Sequence, residues 1–223
     1  MPIRDNIERI KKDIPPHITL IAVSKTYPID SIMEAHTSGQ KVFGENKAQE
    51  MRDKEKQLPM DIEWHLIGHL QTNKVRMIAP FVKLIHSVDS LSLLQEINKR
   101  AVTNKRTIDC LLQIFIAREE TKYGLTMEEA EQLILSEDMK ALTNIRIAGL
   151  MGMATNTTNK EQIRNEFKGL KVFFDKLNKL SIINCQLSIL SMGMSSDYKI
   201  AMEEGSTMIR IGSNIFGERN YAR

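Results

Sequence analysis

"HITLIAVSKTYP", residues 17–28, sets the first constraint on the fold. Leu20, Ile21, Ala22 and Val23 form an apolar run of strand length, and Pro28 stands where a helix can begin. Between them lies the corner Ser24-Lys25-Thr26, which contains no glycine. An open doubly wound sheet often turns after its first strand through a glycine-rich loop. The first crossover here is of another kind.

Outward from that corner the chain repeats strand, then helix. Short runs at 18–24, 41–44, 62–67, 82–87, 107–116, 145–150, 185–190 and 207–211 read as eight strands. Helical patterns separate them at 28–38, 46–57, 72–79, 90–103, 126–137, 159–179 and 196–204. Ahead of them, Ile3, Ile7, Ile10 and Ile14 trace one stripe of an amphipathic helix. Ile163, Phe167, Leu170, Phe174 and Leu177 share a face of the sixth interstrand helix. Thr126 with Glu129, and Thr158 with Glu161, have capping-box spacing, and Gly39 is placed to end the first interstrand helix. Eight alternating strands match a closed (β/α)8 barrel, the TIM-type α/β fold, here with an extra N-terminal helix. No Gly/Ser/Pro-rich linker divides the sequence, so residues 1–223 are expected to form a single domain.

Composition narrows the function classes. Hydrophobic residues at 42% and charged residues at 26% describe a soluble globular protein. The formal charge of +3 comes from 31 basic residues interspersed with 28 acidic ones, which is no nucleic-acid footprint. "MPIRDNIERIKKDI" is too charged for a signal peptide, and apolar runs such as "CLLQIFIA" (110–117) are too short for a membrane span. Cys110 and Cys185 each sit in an apolar run and read as reduced core residues. A cytoplasmic protein is expected, with no membrane or nucleic-acid partner.

In such barrels functional groups gather at the C-terminal ends of the strands, with phosphate beside the loops after strands seven and eight. Lys25 then stands at the tip of strand one. "SMGMSSD" (191–197) follows strand seven, and "RIGSNIFG" (210–217) contains the end of strand eight. Closure places strands one and eight side by side. Backbone N–H groups of two glycine-bearing turns, with the Ser191 and Ser213 hydroxyls, suit a phosphate. A lysine beside a phosphate cradle suggests a carbonyl cofactor, because a neutral amine attacks an aldehyde and burial or a cation such as Arg210 favours that neutral form. Pyridoxal 5'-phosphate (PLP) combines an aldehyde, a phosphate and a ring nitrogen that takes a partner. Arg210, on the same strand face as Gly212, is a candidate for that partner. A plainer reading stands beside this one: a strand-end lysine is commonly solvated and a strand arginine commonly ion-paired.

Other signals carry less. His65 and His69 would suit a metal on a helix, but in a strand they lie roughly 13 Å apart. His65 is expected near the barrel mouth and His69 on the following loop. "NKRAVTNKR" (98–106) lacks interleaved aromatics and reads as a solvated helix end. Met151, Met153, Met192 and Met194 flank the expected mouth, and the other methionines read as core filler.

Seven segments in order, "IAVSKTYP", "FGENKAQE" (43–50), "WHLIGHLQTNK" (64–74), "HSVD" (86–89), "GLMGMA" (149–154), "LSMGMSSD" (190–197) and "RIGSNIFG", resemble the pyridoxal phosphate homeostasis protein family, the YggS/PROSC group. The resemblance runs from about residue 18 to 218. It implies a barrel like the N-terminal domain of alanine racemase, with PLP held as a Schiff base on Lys25. Ser191, Gly212 and Ser213 would hold the phosphate, with Met192 also in the cofactor-binding set. Arg210 would face the ring nitrogen, and Asn46 would line the cofactor's other side. Tyr123, within "REETKYGL" (118–125), stands in a loop where members often carry a small residue. Ser213 replaces a frequent threonine and keeps the hydroxyl.

The implied role is intracellular PLP (vitamin B6) homeostasis without strong catalysis. Racemisation needs an acid or base on each face of the substrate. In alanine racemase the second is a tyrosine from a β-rich domain of a partner subunit. With the chain ending at Arg223, soon after the barrel closes, that domain is expected to be absent. Arg210 adds a second limit: an always-protonated guanidinium donates to the ring nitrogen and leaves a poor electron sink. No catalytic residue and no metal is assigned. A monomer is expected, with apo PLP-dependent enzymes as implied recipients. Two other readings stay open. One is a weak single-domain PLP-dependent amino-acid racemase using Lys25 with Tyr123 or His65. The other is a cofactor-free Schiff-base lyase whose cradle binds a sugar phosphate.

Overall fold

The isoleucine stripe at the N-terminus forms helix α1 (Ile3–Asp13), which buries Ile3, Ile7 and Ile10. The computed structural model describes residues 2–118, 124–180 and 185–217. Tyr123 and the side chain of Cys185 lie outside the described residues. After α1 come β1 (Thr19–Val23), α2 (Ile29–Thr37), β2 (Val42–Glu45), α3 (Ala48–Glu55) and β3 (Glu63–Leu66). Next follow α4 (Val75–Ile78), β4 (Leu84–Val88), α5 (Leu91–Thr103), β5 (Ile108–Ile114), α6 (Met127–Leu135) and α7 (Glu137–Lys140). The chain continues through β6 (Ile145–Gly152), α8 (Lys160–Asn178), β7 (Cys185–Ser191), α9 (Tyr198–Glu203), β8 (Met208–Ile211) and α10 (Ser213–Phe216).

All eight expected strands form, and they pair in parallel in sequence order to close a barrel, β1 against β8. That closure aligns Ile21 with Arg210 and Ala22 with Ile211. Two apolar layers hold it. The outer one, between sheet and helices, includes Phe43, Met51, Leu66, Ile97, Phe167 and Leu170. The inner one contains Ile21, Leu84, Leu111, Ala148, Met151 and Met208 from strand faces turned inward. Cys110 is a buried free thiol whose pKa is pushed up by burial and then by Asp109, so it stays protonated. Among the described residues no helix is long and apolar enough to cross a membrane.

Local signals decide the helix ends. At the end of α2, Gly39 has φ +85°, its N–H reaches His36 C=O, and the Gln40 N–H reaches Ala35 C=O. These two bonds form a Schellman motif. The Thr126–Glu129 capping box is present at the start of α6. The expected Thr158–Glu161 box is corrected: α8 begins one residue later, capped by Asn159, whose side chain accepts from the Gln162 N–H. The span 126–137 is two helices, because Ser136 adopts an extended ψ of 150° and caps α7 by accepting from the Met139 N–H. The span 72–79 is likewise a 3-10 turn over 72–74 that runs into the short α4.

Candidate functional site

At the C-terminal ends of the strands lies a cavity of about 890 Å³, within the usual range for a small-molecule site. Lys25 lines it from the corner after β1 and is half-buried. Ser24 C=O accepts from the Tyr27 N–H at 3.1 Å, closing a tight turn with Lys25 and Thr26 at its centre. Tyr27 anchors that turn across the barrel seam. Its hydroxyl donates to Gly217 C=O at 2.6 Å, and its ring stacks on Phe216 with centroids 4.7 Å apart. The β1 corner and the β8 corner are thereby one tied unit.

The turns after β7 and β8 meet on the same side of the cavity. Gly193 has φ +96°, and a Cβ there would lie 2.6 Å from Ala201 Cβ, so only glycine fits. Its carbonyl accepts from the Arg210 N–H at 3.0 Å. Asp197 Oδ1 accepts from the Met194 N–H, shaping the loop that carries Ser195 and Ser196. The Gly212 N–H donates to Ser195 Oγ at 3.3 Å, and Asn214 Nδ2 donates to Ser195 C=O at 3.1 Å. Ser195, Ser196, Gly212 and Ser213 all line the cavity. Across from them stands Asn46, whose backbone packs so closely on Gly68 that a Cβ there would lie 2.6 Å from the Asn46 carbonyl oxygen.

Arg210 also lines the cavity and is buried, and a polar chain runs from it across the barrel interior. Its Nη1 donates to Ser191 Oγ at 2.6 Å and its Nη2 to Gly152 C=O at 3.1 Å. Ser191 Oγ lies 3.1 Å from His86 Nδ1, and His86 Nε2 lies 3.0 Å from His65 Nδ1. Each neutral imidazole offers one donor and one acceptor, so the chain closes without a charge on either ring. Electrostatics agree. Burial, then Lys83, lowers the His65 pKa to about 3. Burial, then His65 and Arg210, holds His86 well below its ordinary value. Burial lowers Arg210 to about 10 against the pull of Asp197, which leaves it a cation at neutral pH.

Of the residues singled out from sequence, Lys25, Asn46, Arg210, Gly212 and Ser213 converge on this cavity. Ser191 and Met192 do not line it. β7 runs one residue further than its apolar pattern suggests, so Ser191 is still in the strand and turns inward beneath Arg210. Met192 is fully buried in the outer apolar layer. The flanking methionines divide in the same way: Met153 and Met194 line the cavity, while Met151 and Met192 are fully buried. His69 sits on the rim, 3.5 Å from Asp89. His65, next to the last residue of β3, is buried and does not itself line the cavity. Among the described residues no group of three or more His, Cys, Asp or Glu could hold a metal. Sequence reasoning missed Ser195, Ser196, Gln113 and His86. Gln113, the one polar residue inside "CLLQIFIA", carried a signal.

Fold and mouth together define a class: a (β/α)8 barrel that presents a lysine amine beside two polar, glycine-bearing turns. Residues 2–220 match the family described as alanine racemase, N-terminal domain. A pyridoxal phosphate homeostasis protein of Aquifex aeolicus is 42% identical over 203 residues, spanning 91% of this chain and 87% of that one. Its namesake from Escherichia coli is 34% identical over 220 residues, spanning 94% and 89%. PipY of Synechococcus elongatus, solved with PLP bound, superposes with a TM-score of 0.86 at 34% identity, covering 96% of this chain and 100% of that one. An alanine racemase of Clostridium difficile, at 16% identity and a TM-score of 0.76, shares the fold over 99% of this chain and 57% of that one. The chain belongs to the pyridoxal phosphate homeostasis protein family, within the alanine racemase N-terminal domain class.

Proposed function

We propose that this chain binds PLP covalently through Lys25 and acts in intracellular PLP homeostasis without strong catalysis. The observation that carries the reading is the meeting of a half-buried lysine, a hydroxyl-rich pair of turns and a buried guanidinium in one cavity. This donor set fits the cofactor group by group. PLP supplies an aldehyde, which condenses with a neutral amine and releases water. Lys25 is that amine. The hydroxyls of Ser195, Ser196 and Ser213, with backbone N–H groups at the start of α10, would hold the phosphate, since the first N–H groups of a helix have no acceptor within it. Arg210 would donate to the ring nitrogen and, as a cation at neutral pH, would discourage that nitrogen from taking a proton. Asn46 closes the opposite wall. Ser191 acts one step away, holding Arg210 in place.

The same reading covers the cellular role. The barrel of residues 1–223 works as one unit, a cytoplasmic monomer that keeps PLP bound and releases it to apo PLP-dependent enzymes, whose own lysines compete with Lys25 for the aldehyde. The test is chemical. Borohydride reduction of the PLP-loaded protein, followed by peptide mapping, is expected to place the pyridoxyl group on Lys25, and Lys25→Ala is expected to lose it. A label found mainly on Lys74 would overturn the assignment. Rapid interconversion of alanine enantiomers by the unaltered protein would replace holding with catalysis.

A further inference from the structure

Behind the Lys25 turn, on the helix side of the sheet, lies an ionic cluster in which Lys54 and Glu45 are buried and Glu50 is partly exposed. Lys54 of α3 is 7% exposed, and its ammonium donates to Ser24 C=O at 2.8 Å, Glu45 Oε1 at 2.8 Å and Glu50 Oε1 at 2.7 Å. An ammonium has three donors, and all three are used. Ser24 Oγ donates to the same Glu45 oxygen at 2.6 Å, and Glu50 Oε1 also accepts from the Thr26 N–H at 2.6 Å. Ser24 and Thr26 are the two neighbours of Lys25. The backbone on both sides of the lysine is therefore fixed by side chains from one helix.

The turn needs that hold. Thr26 has φ +69° at the third position of the turn, where glycine is usual and a β-branched side chain is strained. Such strain persists only where the surroundings over-determine it, and it gathers at functional sites. Stability alone is a poor reason for the cluster, because buried ion pairs are commonly matched or exceeded by apolar packing. Here one ammonium serves two carboxylates, and Glu45 Oε2 is buried with no hydrogen-bond partner among the described residues. Burial pushes the Glu45 carboxyl up, with Lys54 the largest influence holding it down.

We propose that Lys54 and Glu50 are positioning residues for Lys25: by pinning Ser24 C=O and the Thr26 N–H, they hold the strained turn that aims the lysine amine into the cavity. This rests on the reading of Lys25 as the amine that carries PLP, and the experiment separates the two claims. Apo protein is mixed with PLP, quenched with borohydride at timed intervals, and the pyridoxyl label on Lys25 is quantified by peptide mapping. Thermal midpoints of the same apo samples are recorded. Glu50→Ala, which releases Thr26, is expected to slow labelling roughly tenfold to hundredfold, as misplacement of a reacting group does. Glu50→Gln keeps an oxygen to accept from Thr26 and is expected to label at close to the parent rate. Adding Thr26→Gly to Glu50→Ala removes the strain and is expected to recover part of the rate. If Glu50→Ala does not fold, Lys54→Met, which drops the bond to Ser24 C=O, carries the same test. No label on Lys25 in the parent would overturn the cofactor reading itself. A labelled parent with Glu50→Ala equally fast, or with Glu50→Gln as slow as Glu50→Ala, would overturn the positioning role alone.

Discussion

Ser213 and Ser191 carry the same hydroxyl near the same cavity, yet their surroundings give them different work. Ser213 is exposed on the cavity wall, whereas the Ser191 oxygen is fully buried between Arg210 and His86. The sequence could not separate them. Ser191 points inward because β7 continues through it, two residues on from Ile189 of the inner layer; an apolar pattern that ends at Leu190 leaves Ser191 in the turn, where alternation does not set its direction. Arg210 and Gly212 both line the cavity, but β8 ends at Ile211, so Gly212 gets there as part of the turn and not through strand alternation. These environments predict different ligand dependence. If Ser213 holds the phosphate as proposed, Ser213→Ala would remove one charge-assisted bond worth roughly 1.5–3 kcal/mol and is expected to weaken PLP retention about tenfold to hundredfold. It should leave the binding of pyridoxal, which has no phosphate, nearly unchanged. Ser191→Ala acts through Arg210 and is expected to weaken both ligands alike. Equilibrium dialysis of both variants with both ligands decides it; phosphate-selective loss in Ser191→Ala would return that hydroxyl to the phosphate.

Elements were the most legible scale. Each strand carried a short apolar run and the longer helices an apolar stripe, so their existence followed from periodicity. Their ends followed from capping chemistry, and there the sequence was ambiguous. Thr158 and Asn159 are both good caps, and spacing to Glu161 favoured the first. The chain uses the second, because the Asn159 side chain reaches the Gln162 N–H. Asn159→Ala is therefore expected to destabilise the protein by about 1 kcal/mol, with Thr158→Ala close to neutral. Urea midpoints of the two variants measure this directly, and the reverse order would restore the Thr158 box. The short α10 gave no signal, since four residues show no period. Its place beside the cavity comes from the Gly212 turn and from Tyr27 reaching across to Gly217.

At the scale of the whole barrel, closure brings together residues that no local pattern connects. His86 and Ser191 are 105 positions apart, yet they join β4 to β7, and His65 and Arg210 extend the chain to β3 and β8. In sequence His65 and His86 look like strand histidines among apolar neighbours, and only the closed sheet makes them a brace under Arg210. The brace has a pH signature. Both imidazoles are held neutral in the folded state, His65 with a pKa lowered to about 3, whereas an unfolded histidine titrates near 6.5. Above pH 6.5 neither state takes up these protons and the stability is fully present. As pH falls through 6.5 toward 3 the unfolded chain binds protons that the folded barrel refuses, so stability declines. Between pH 7 and pH 5 the loss from His65 is roughly 2 kcal/mol, and His86 acts in the same direction. Ordinary carboxylates titrate below that window, and Glu45, raised by burial, works in the opposite direction. Unfolding free energies at pH 7, 6 and 5 for the parent and for His65→Gln with His86→Gln are expected to diverge, the parent losing stability and the double variant staying nearly flat. Parallel curves would mean that the imidazoles take protons inside the folded barrel, placing a positive charge beside Arg210 where a neutral brace is required.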